Sequence, residues 1–159
     1  MIRLALILGI LLAVPAYADI RVERAGRGTS ETVPTQRLDD HTAIGVNTLA
    51  RLVGGTKYWR PDLRKLEVRS VDHTLGITVD APYVVVDDVA IRLPAPARLV
   101  AGEVQVPIEI FPLALSGRFL PRAAWDESAQ RLVLFDQEDR KSTRLNSSHS
   151  ELSRMPSSA

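Results

Sequence analysis

The residues best suited to metal or acid–base chemistry are two histidines beside aspartates, in the runs Asp39-Asp40-His41 and Asp72-His73. Three adjacent side chains of a regular backbone cannot all point at one ion, so the first run favours a solvated turn. The second run is typical of a hairpin turn. The pair Asp87-Asp88 also indicates a turn rather than a carboxylate dyad, because neighbouring residues on a strand face opposite ways.

Other site chemistry finds little support in the sequence. Ser70, Thr74 and Ser116 have no histidine at a recognised motif spacing, and there is no glycine-rich phosphate loop. Copper sites use His, Cys or Met, but residues 19–138 contain two His and neither Cys nor Met. We therefore predict no catalytic, cofactor-binding or metal-binding residue in this chain.

The amino terminus has the pattern of a secretory signal peptide. A short positive start is followed by an apolar run from Leu4 to Val14, and Ala16-Tyr17-Ala18 ends in a small-x-small cleavage pattern. The run is much shorter than the roughly 20 residues that cross a bilayer, so we expect no stable membrane span after cleavage. The chain has no Cys, so neither a lipid anchor at the cleavage site nor a disulfide is expected. Export to the periplasm or the extracellular space is predicted.

The carboxyl terminus resembles a translated short-read sequencing adapter. Residues 139–149 read Asp-Arg-Lys-Ser-Thr-Arg-Leu-Asn-Ser-Ser-His, as one frame of the adapter does, and residues 153–159 continue it after a gap of barcode length. We interpret residues 139–159 as an artefact, expect them to be disordered, and expect the natural gene to continue past residue 138.

The charge balance of the remaining chain excludes one large class of partner. Residues 19–138 carry 15 Lys and Arg against 17 Asp and Glu, a net charge of −2 with the two signs interspersed. A nucleic-acid-binding protein would present a basic patch, so no nucleic-acid partner is expected. The length suits one domain.

An internal repeat predicts the architecture. Residues 44–55 align without a gap on residues 106–117, with matched apolar positions and a glycine at each end, Gly55 and Gly117. Each copy predicts a strand end, a short helix and a glycine stop. In the second copy Pro112 fits only in the first helical turn.

A Trp-to-Leu spacing of seven residues follows in both copies and predicts a β-hairpin, with Trp59 or Trp125 leading it. We expect both Trp rings to be largely buried against the helix of their own copy. The predicted structural core is Trp59, Leu49 and Val53 in the first copy and Trp125, Phe111 and Leu115 in the second.

Short alternating strands between the copies complete an α+β fold, an antiparallel β-sheet with two short helices built from a two-copy strand-helix-hairpin repeat. Arg21–Arg24 is expected to add a strand, and Gly26–Gln36 is expected to be a loop or linker.

The second copy carries a family resemblance. Val106-Pro107, Leu115-Ser116-Gly117, Trp125-Asp126 and residues 131–134 resemble the V-P, L-G, W-D and V-x-I elements of the copper amine oxidase-like N-terminal domain, also called a stalk domain. The chain departs from that pattern at Glu109, where a basic residue is usual, and at Pro112. The resulting domain assignment is signal peptide 1–18, strand and polar linker 19–37, stalk domain 38–138, and artefact 139–159.

The resemblance implies a scaffold rather than a reaction. In secreted bacterial proteins such a domain often precedes a cell-wall hydrolase, and the segment Leu93–Pro96 looks like that in front of an N-acetylmuramoyl-L-alanine amidase. The implied zinc would belong to a catalytic domain beyond this chain. The alternatives are a stand-alone exported binding or structural protein and the front module of another secreted hydrolase. The implied partner is peptidoglycan or another envelope component, and Tyr58, Tyr83 and Arg92 are candidate wall-binding residues.

Overall fold

A computed structural model describes residues 18–135 of the chain. The predicted signal peptide, except Ala18, and the adapter-like segment lie outside the described residues. The strands are β1 (Ala18–Ala25), β2 (Thr29–Leu38), β3 (His41–Gly45), β4 (Thr56–Arg60), β5 (Lys65–Arg69), β6 (Thr74–Thr78), β7 (Tyr83–Val86), β8 (Val89–Arg92), β9 (Arg98–Val100), β10 (Glu103–Pro107), β11 (Arg122–Asp126) and β12 (Arg131–Phe135). The helical segments are α1 (Val46–Val53), a 3₁₀ turn (Pro61–Leu63) and a π-helical turn (Phe111–Leu115).

Two sheets enclose the core. The larger one has seven strands in the order β11-β12-β1-β2-β3-β10-β9, and the smaller one has five in the order β4-β5-β6-β7-β8. Neighbouring strands are antiparallel except β1 and β12, which are parallel. Buried aliphatic side chains from both sheets, from α1 and from the π-helical turn form a single apolar cluster. This architecture is consistent with the predicted α+β class, although the larger sheet is mixed rather than wholly antiparallel.

The polar segment expected to be a linker is a strand. β2 covers Thr29–Leu38 and pairs with β1 on one side and β3 on the other. Val33 and Thr35 are buried on its inner face. Val33 pairs with the buried Ile20 of β1. Thr and Val favour strands, and these alternating side chains complete the core, so their burial outweighs the polar composition of the segment.

Helix α1 lies where the sequence predicted a helix. Val46, Leu49 and Ala50 face the core as expected, but Leu52 is buried whereas Val53 is only partly buried. The helix ends at Gly54, which has a left-handed φ of 67° and suits glycine because a Cβ disfavours that conformation. Among residues 18–135, no helix has the length and apolar character needed to cross a membrane.

The second predicted helix is reduced to the π-helical turn. The Ser116 N–H donates to the Phe111 carbonyl at 2.9 Å, an i to i+5 bond. Pro112 lies in the first helical turn as predicted and has no N–H to donate to a preceding turn. Phe111 and Leu115 are nevertheless fully buried, so this short turn still fills the core.

The chain forms two pairs of hairpins with matching registers. In the first pair, Leu38 pairs with His41 in β2–β3 and Val100 with Glu103 in β9–β10, each across a two-residue turn. In the second pair, Trp59 pairs with Leu66 in β4–β5 and Trp125 with Leu132 in β11–β12, each next to a four-residue loop. The predicted Trp-to-Leu spacing of seven therefore corresponds to a direct cross-strand pair in both places.

The expected burial of Trp59 is wrong. Its side chain points to the core side of the small sheet, as Leu66 and Ile77 do, but it is 42% exposed. β4 is an edge strand of that sheet, and the ring borders a groove that water enters. Trp125 is partly buried and packs against the core cluster.

This difference predicts unequal costs of truncating the two rings. We expect Trp125→Ala to lower the free energy of unfolding by about 3 kcal/mol, because it leaves a cavity beside the core. Trp59→Ala should cost only about 1 kcal/mol, because much of that ring already faces water. Urea unfolding of the two variants, monitored by circular dichroism, measures both values, and a larger loss for Trp59→Ala would contradict the packing described.

Candidate binding surfaces

The three candidate wall-binding residues share the outer face of the five-stranded sheet. Tyr58 lies in a cross-strand row with Glu67, Gly76, Val85 and Ala90. These residues alternate along their strands with the buried ones, so the row faces away from the core. Tyr83 pairs with Arg92 and belongs to the same face, since each lies two residues from a member of the row. We call this surface the outer face.

The candidate residues are spread over the outer face rather than gathered in a cleft. Tyr58 on β4 and Tyr83 on β7 are three strands apart, on the order of 15 Å. A shallow depression of about 570 Å³ crosses β5, β6 and β7 on this face, with a charged lining that includes Lys65, Glu67 and Arg69. This surface offers separate contacts to an extended ligand instead of one enclosed pocket.

An ion cluster fixes the centre of the outer face. The Arg69 guanidinium donates to Glu67 at 2.6 Å, and Lys65 lies 3.5 Å from the other carboxylate oxygen. The hydrogen bond from Arg69 and the charges of both cations hold the pKa of Glu67 below its usual range, against the opposing effect of burial. Arg69 also lies 4.9 Å from the centre of the Tyr58 ring, so it covers one face of that ring.

A second surface is a groove beside Trp59. The groove has a volume of about 420 Å³ and lies between two edge strands, β4 of the small sheet and β9 of the large one. Its lining includes Trp59, Lys57, Asn47, Leu99, Glu103 and Val104. Leu99 is 47% exposed, so the groove contains two large apolar side chains that water reaches. We call it the Trp59 groove.

A carboxylate from β10 organises one wall of the Trp59 groove. Glu103 Oε1 accepts a hydrogen bond from the backbone N–H of Asn47 at 3.0 Å, in the first turn of α1. A carboxylate there satisfies a helix donor that lacks a partner within the helix and faces the positive end of the helix dipole. Gly45 leaves room for this contact, because a Cβ at that position would lie 2.6 Å from Glu103 Cδ. The Lys57 ammonium donates to the side-chain oxygen of Asn47 and completes the wall.

The predicted repeat gives no indication of this groove, although the sequence contains one signal of it. The run Thr56-Lys57-Tyr58-Trp59-Arg60 contains no aliphatic residue, and every one of these residues is exposed. A strand without large aliphatic side chains on either face is typical of a sheet edge. The repeat pattern predicts burial of both Trp rings because it contains no information about what faces each hairpin in the assembled fold.

The two histidines lie in separate places. His41 Nδ1 is 3.1 Å from Glu109 Oε1, and His73 Nδ1 is 2.6 Å from Asp87 Oδ2. His73 thus contacts Asp87, in the next hairpin, through its imidazole, and its ring lies 5.6 Å from that of Phe119.

Neither contact forms a set of metal ligands. Among residues 18–135, no group of three or more His, Asp or Glu side chains lies close enough together to hold an ion. Structural and catalytic zinc sites require at least three protein ligands. The described residues therefore do not fit the zinc of an amidase, nor do they fit copper.

Asp87 predicts a pH dependence of stability. The Thr74 backbone N–H donates to its carboxylate at 2.9 Å, and this bond, followed by the contact with His73, lowers the pKa of Asp87 below its ordinary value. A carboxyl group whose pKa is lower in the folded than in the unfolded protein stabilises the fold at pH values above its unfolded pKa. This stabilisation disappears as the pH falls through its folded pKa.

We therefore expect Asp87→Asn to be less stable than the wild type near pH 5, by less than about 1 kcal/mol because the group is partly exposed. The difference should shrink as the pH is lowered toward about 2. Urea unfolding across this range measures it, and a difference that stayed constant with pH would contradict the assigned role of the carboxylate charge.

Comparison with known proteins identifies the fold family. No match was found among curated proteins or among solved structures. Residues 25–134 match the family described as the copper amine oxidase N-terminal domain. The matched range begins at the end of β1, includes β2, and extends into β12, so it covers both sheets. The chain belongs to the copper amine oxidase N-terminal domain family.

Proposed function

We propose that this domain is a non-catalytic, cell-wall-associated module at the front of an exported N-acetylmuramoyl-L-alanine amidase. The observation that carries the proposal is membership of the stalk-domain family together with a signal-peptide pattern before the domain. The Leu93–Pro96 segment adds to the resemblance to amidases. In this proposal the zinc-dependent chemistry belongs to the catalytic domain of the parent protein, and the present domain holds that domain at its polymeric substrate.

The outer face supports a role in binding an extended polymer. Tyr58 and Tyr83 are both about half exposed, and Arg92 lies directly opposite Tyr83 on the neighbouring strand. Exposed aromatic rings and guanidinium groups contact glycan rings and peptide carbonyls or carboxylates. Contacts spread over a flat face give weak binding individually, but they suit a repeating ligand that offers many equivalent groups.

We infer that the domain contains two copies of one strand-helix-hairpin unit. The aligned residues Ile44 and Val106 pair with each other across β3 and β10, as expected if a local two-fold axis passed between them. Under the same alignment Asn47 corresponds to Glu109 and Glu103 to His41. The contact between Asn47 and Glu103 then has a counterpart in that between Glu109 and His41.

The two alternatives concern the parent protein. In one, the domain is a stand-alone exported binding or structural protein, and in the other it precedes a different secreted hydrolase. We further propose that residues 139–159 derive from an adapter. Independent sequencing of the gene past the codon for Glu138 tests both ideas, because an amidase should continue to a strand that ends in Asp-Pro-Gly-His-Gly-Gly. Recovery of the present residues 139–159 would overturn the adapter interpretation.

Binding to the cell wall is tested by sedimentation of the full chain with purified peptidoglycan. We expect partial pelleting at high micromolar protein and no release of muropeptides, with or without added zinc. The triple variant Tyr58→Ala/Tyr83→Ala/Arg92→Ala should reduce the pelleted fraction about threefold or more, because it removes the stacking and hydrogen-bonding groups of the outer face.

Val71→Ala is the matched control, since Val71 is an exposed apolar residue in a loop outside the strands. It should pellet like the wild type. Absence of pelleting in the wild type would reject wall binding and leave a spacer, and zinc-dependent release of muropeptides would reject a non-catalytic module.

A further inference from the structure

We propose that the Trp59 groove binds an N-acetylhexosamine ring of a glycan strand. This inference rests on the proposed cell-wall function and assigns the ligand class and its site. It concerns a different surface from the outer face, so the two can be tested separately.

The aromatic ring supplies a platform for a sugar. Trp59 is 42% exposed on the core side of an edge strand, where it pairs with Leu66 and lines the groove together with Leu66 and Val104. A pyranose presents C–H groups on its faces, and burying them against an exposed indole removes apolar surface of both partners from water. The volume of about 420 Å³ lies within the usual size range of small-ligand sites, about 300–1,000 Å³.

Polar groups line the same groove as the Trp59 ring. Glu103 uses Oε1 to accept from the Asn47 N–H, and within the described part of the chain its Oε2 has no partner. That oxygen can accept a hydrogen bond from an acetamido N–H or a hydroxyl. The Lys57 ammonium, already bonded to Asn47, has further protons to donate to sugar oxygens. The exposed Leu99 side chain offers an apolar contact for the acetamido methyl group.

The second half of the domain shows that the fold does not require an exposed Trp. Trp125 has the same hairpin register as Trp59, and it also lies on an edge strand, β11, yet it is partly buried and packs against the core. The exposure of Trp59 is therefore a local property of the first half. It leaves an apolar ring partly exposed to water beside a groove with polar walls.

Tyr58 is less suited to the same task, although it neighbours Trp59 on β4. Arg69 already covers one face of its ring, at 4.9 Å. Within residues 18–135, no cation lies over the ring of Trp59. Because adjacent residues of a strand face opposite sides of the sheet, Tyr58 belongs to the outer face and does not line the Trp59 groove.

The test is a titration of the ¹⁵N-labelled full chain with tri-N-acetylchitotriose, observed through the two Trp indole N–H signals and assigned with Trp59→Phe. We expect the Trp59 signal to shift with a Kd on the order of 1 mM, while the Trp125 signal stays nearly unchanged. Trp59→Ala should raise the Kd at least tenfold, as followed by the backbone amides of the groove. Val71→Ala, at an exposed apolar residue in a loop outside the strands, should change it less than twofold.

Cellotriose, which lacks acetamido groups, should bind at least fivefold more weakly than the chitotriose. Equal binding of the two sugars would overturn the assignment to N-acetylhexosamine. A Trp59 signal that does not move at a chitotriose concentration 10-fold above the expected Kd, on the order of 10 mM, would overturn the groove as a sugar site. An equal loss of affinity in Val71→Ala would overturn it as well.

Sedimentation with intact peptidoglycan distinguishes failure of the groove assignment from failure of the proposed wall-binding function. If the wild type pellets but the chitotriose leaves the Trp59 signal in place, wall binding stands and the groove assignment falls. If neither ligand binds, both fall. An unchanged backbone amide spectrum in Trp59→Ala, away from the groove, shows that the variant is folded.

Discussion

The pairing of β3 with β10 is the interaction on which the rest of the structure depends. Ile44 and Val106 lie opposite each other in the large sheet, and both are fully buried. Each of these strands continues into its helical segment, α1 or the π-helical turn, and then into a hairpin that begins with a Trp-bearing strand. The positions of the helices, the hairpins and the Trp59 groove therefore all follow from one central strand pair. A slip of one residue in that register would move the buried side chains of the shifted strand to the opposite face of the sheet.

Local sequence signals predicted the elements well where a short-range rule governs them. Gly54 ends α1 in the left-handed conformation, Pro112 lies in the first turn of its helical segment, and Asp87-Asp88 forms a hairpin turn. In each case a single residue type satisfies or forbids a backbone conformation, so no knowledge of the tertiary structure is needed. The outer face also follows from alternation along the strands, which places Tyr58 and Tyr83 on one side of the sheet.

The errors arose where strand order decides the outcome. The polar composition of Thr29–Leu38 favours a loop over a strand. The side chains that β2 buries are covered by elements that are distant in sequence, so a local pattern does not reveal their burial. Trp59 has the same local pattern as Trp125, but its strand has a neighbour on one side and a groove on the other. The candidate site is thus partly readable from the sequence. The aromatic and basic residues can be named, whereas the groove between two sheet edges can only be seen once the sheets are assembled.

The parallel contact between β1 and β12 has a kinetic consequence. The first and last described strands lie side by side, with Arg21 opposite Arg131, about 110 residues later in the chain. A pairing of such long range is slow to form, since the loop-closure entropy must be overcome before the contact contributes any stability. The large sheet cannot be completed until β12 has left the ribosome, because β12 joins β11 to the other strands. While the chain is still being synthesised, β1 therefore has β2 as its only neighbour in the large sheet, and that sheet stays incomplete until β12 is released.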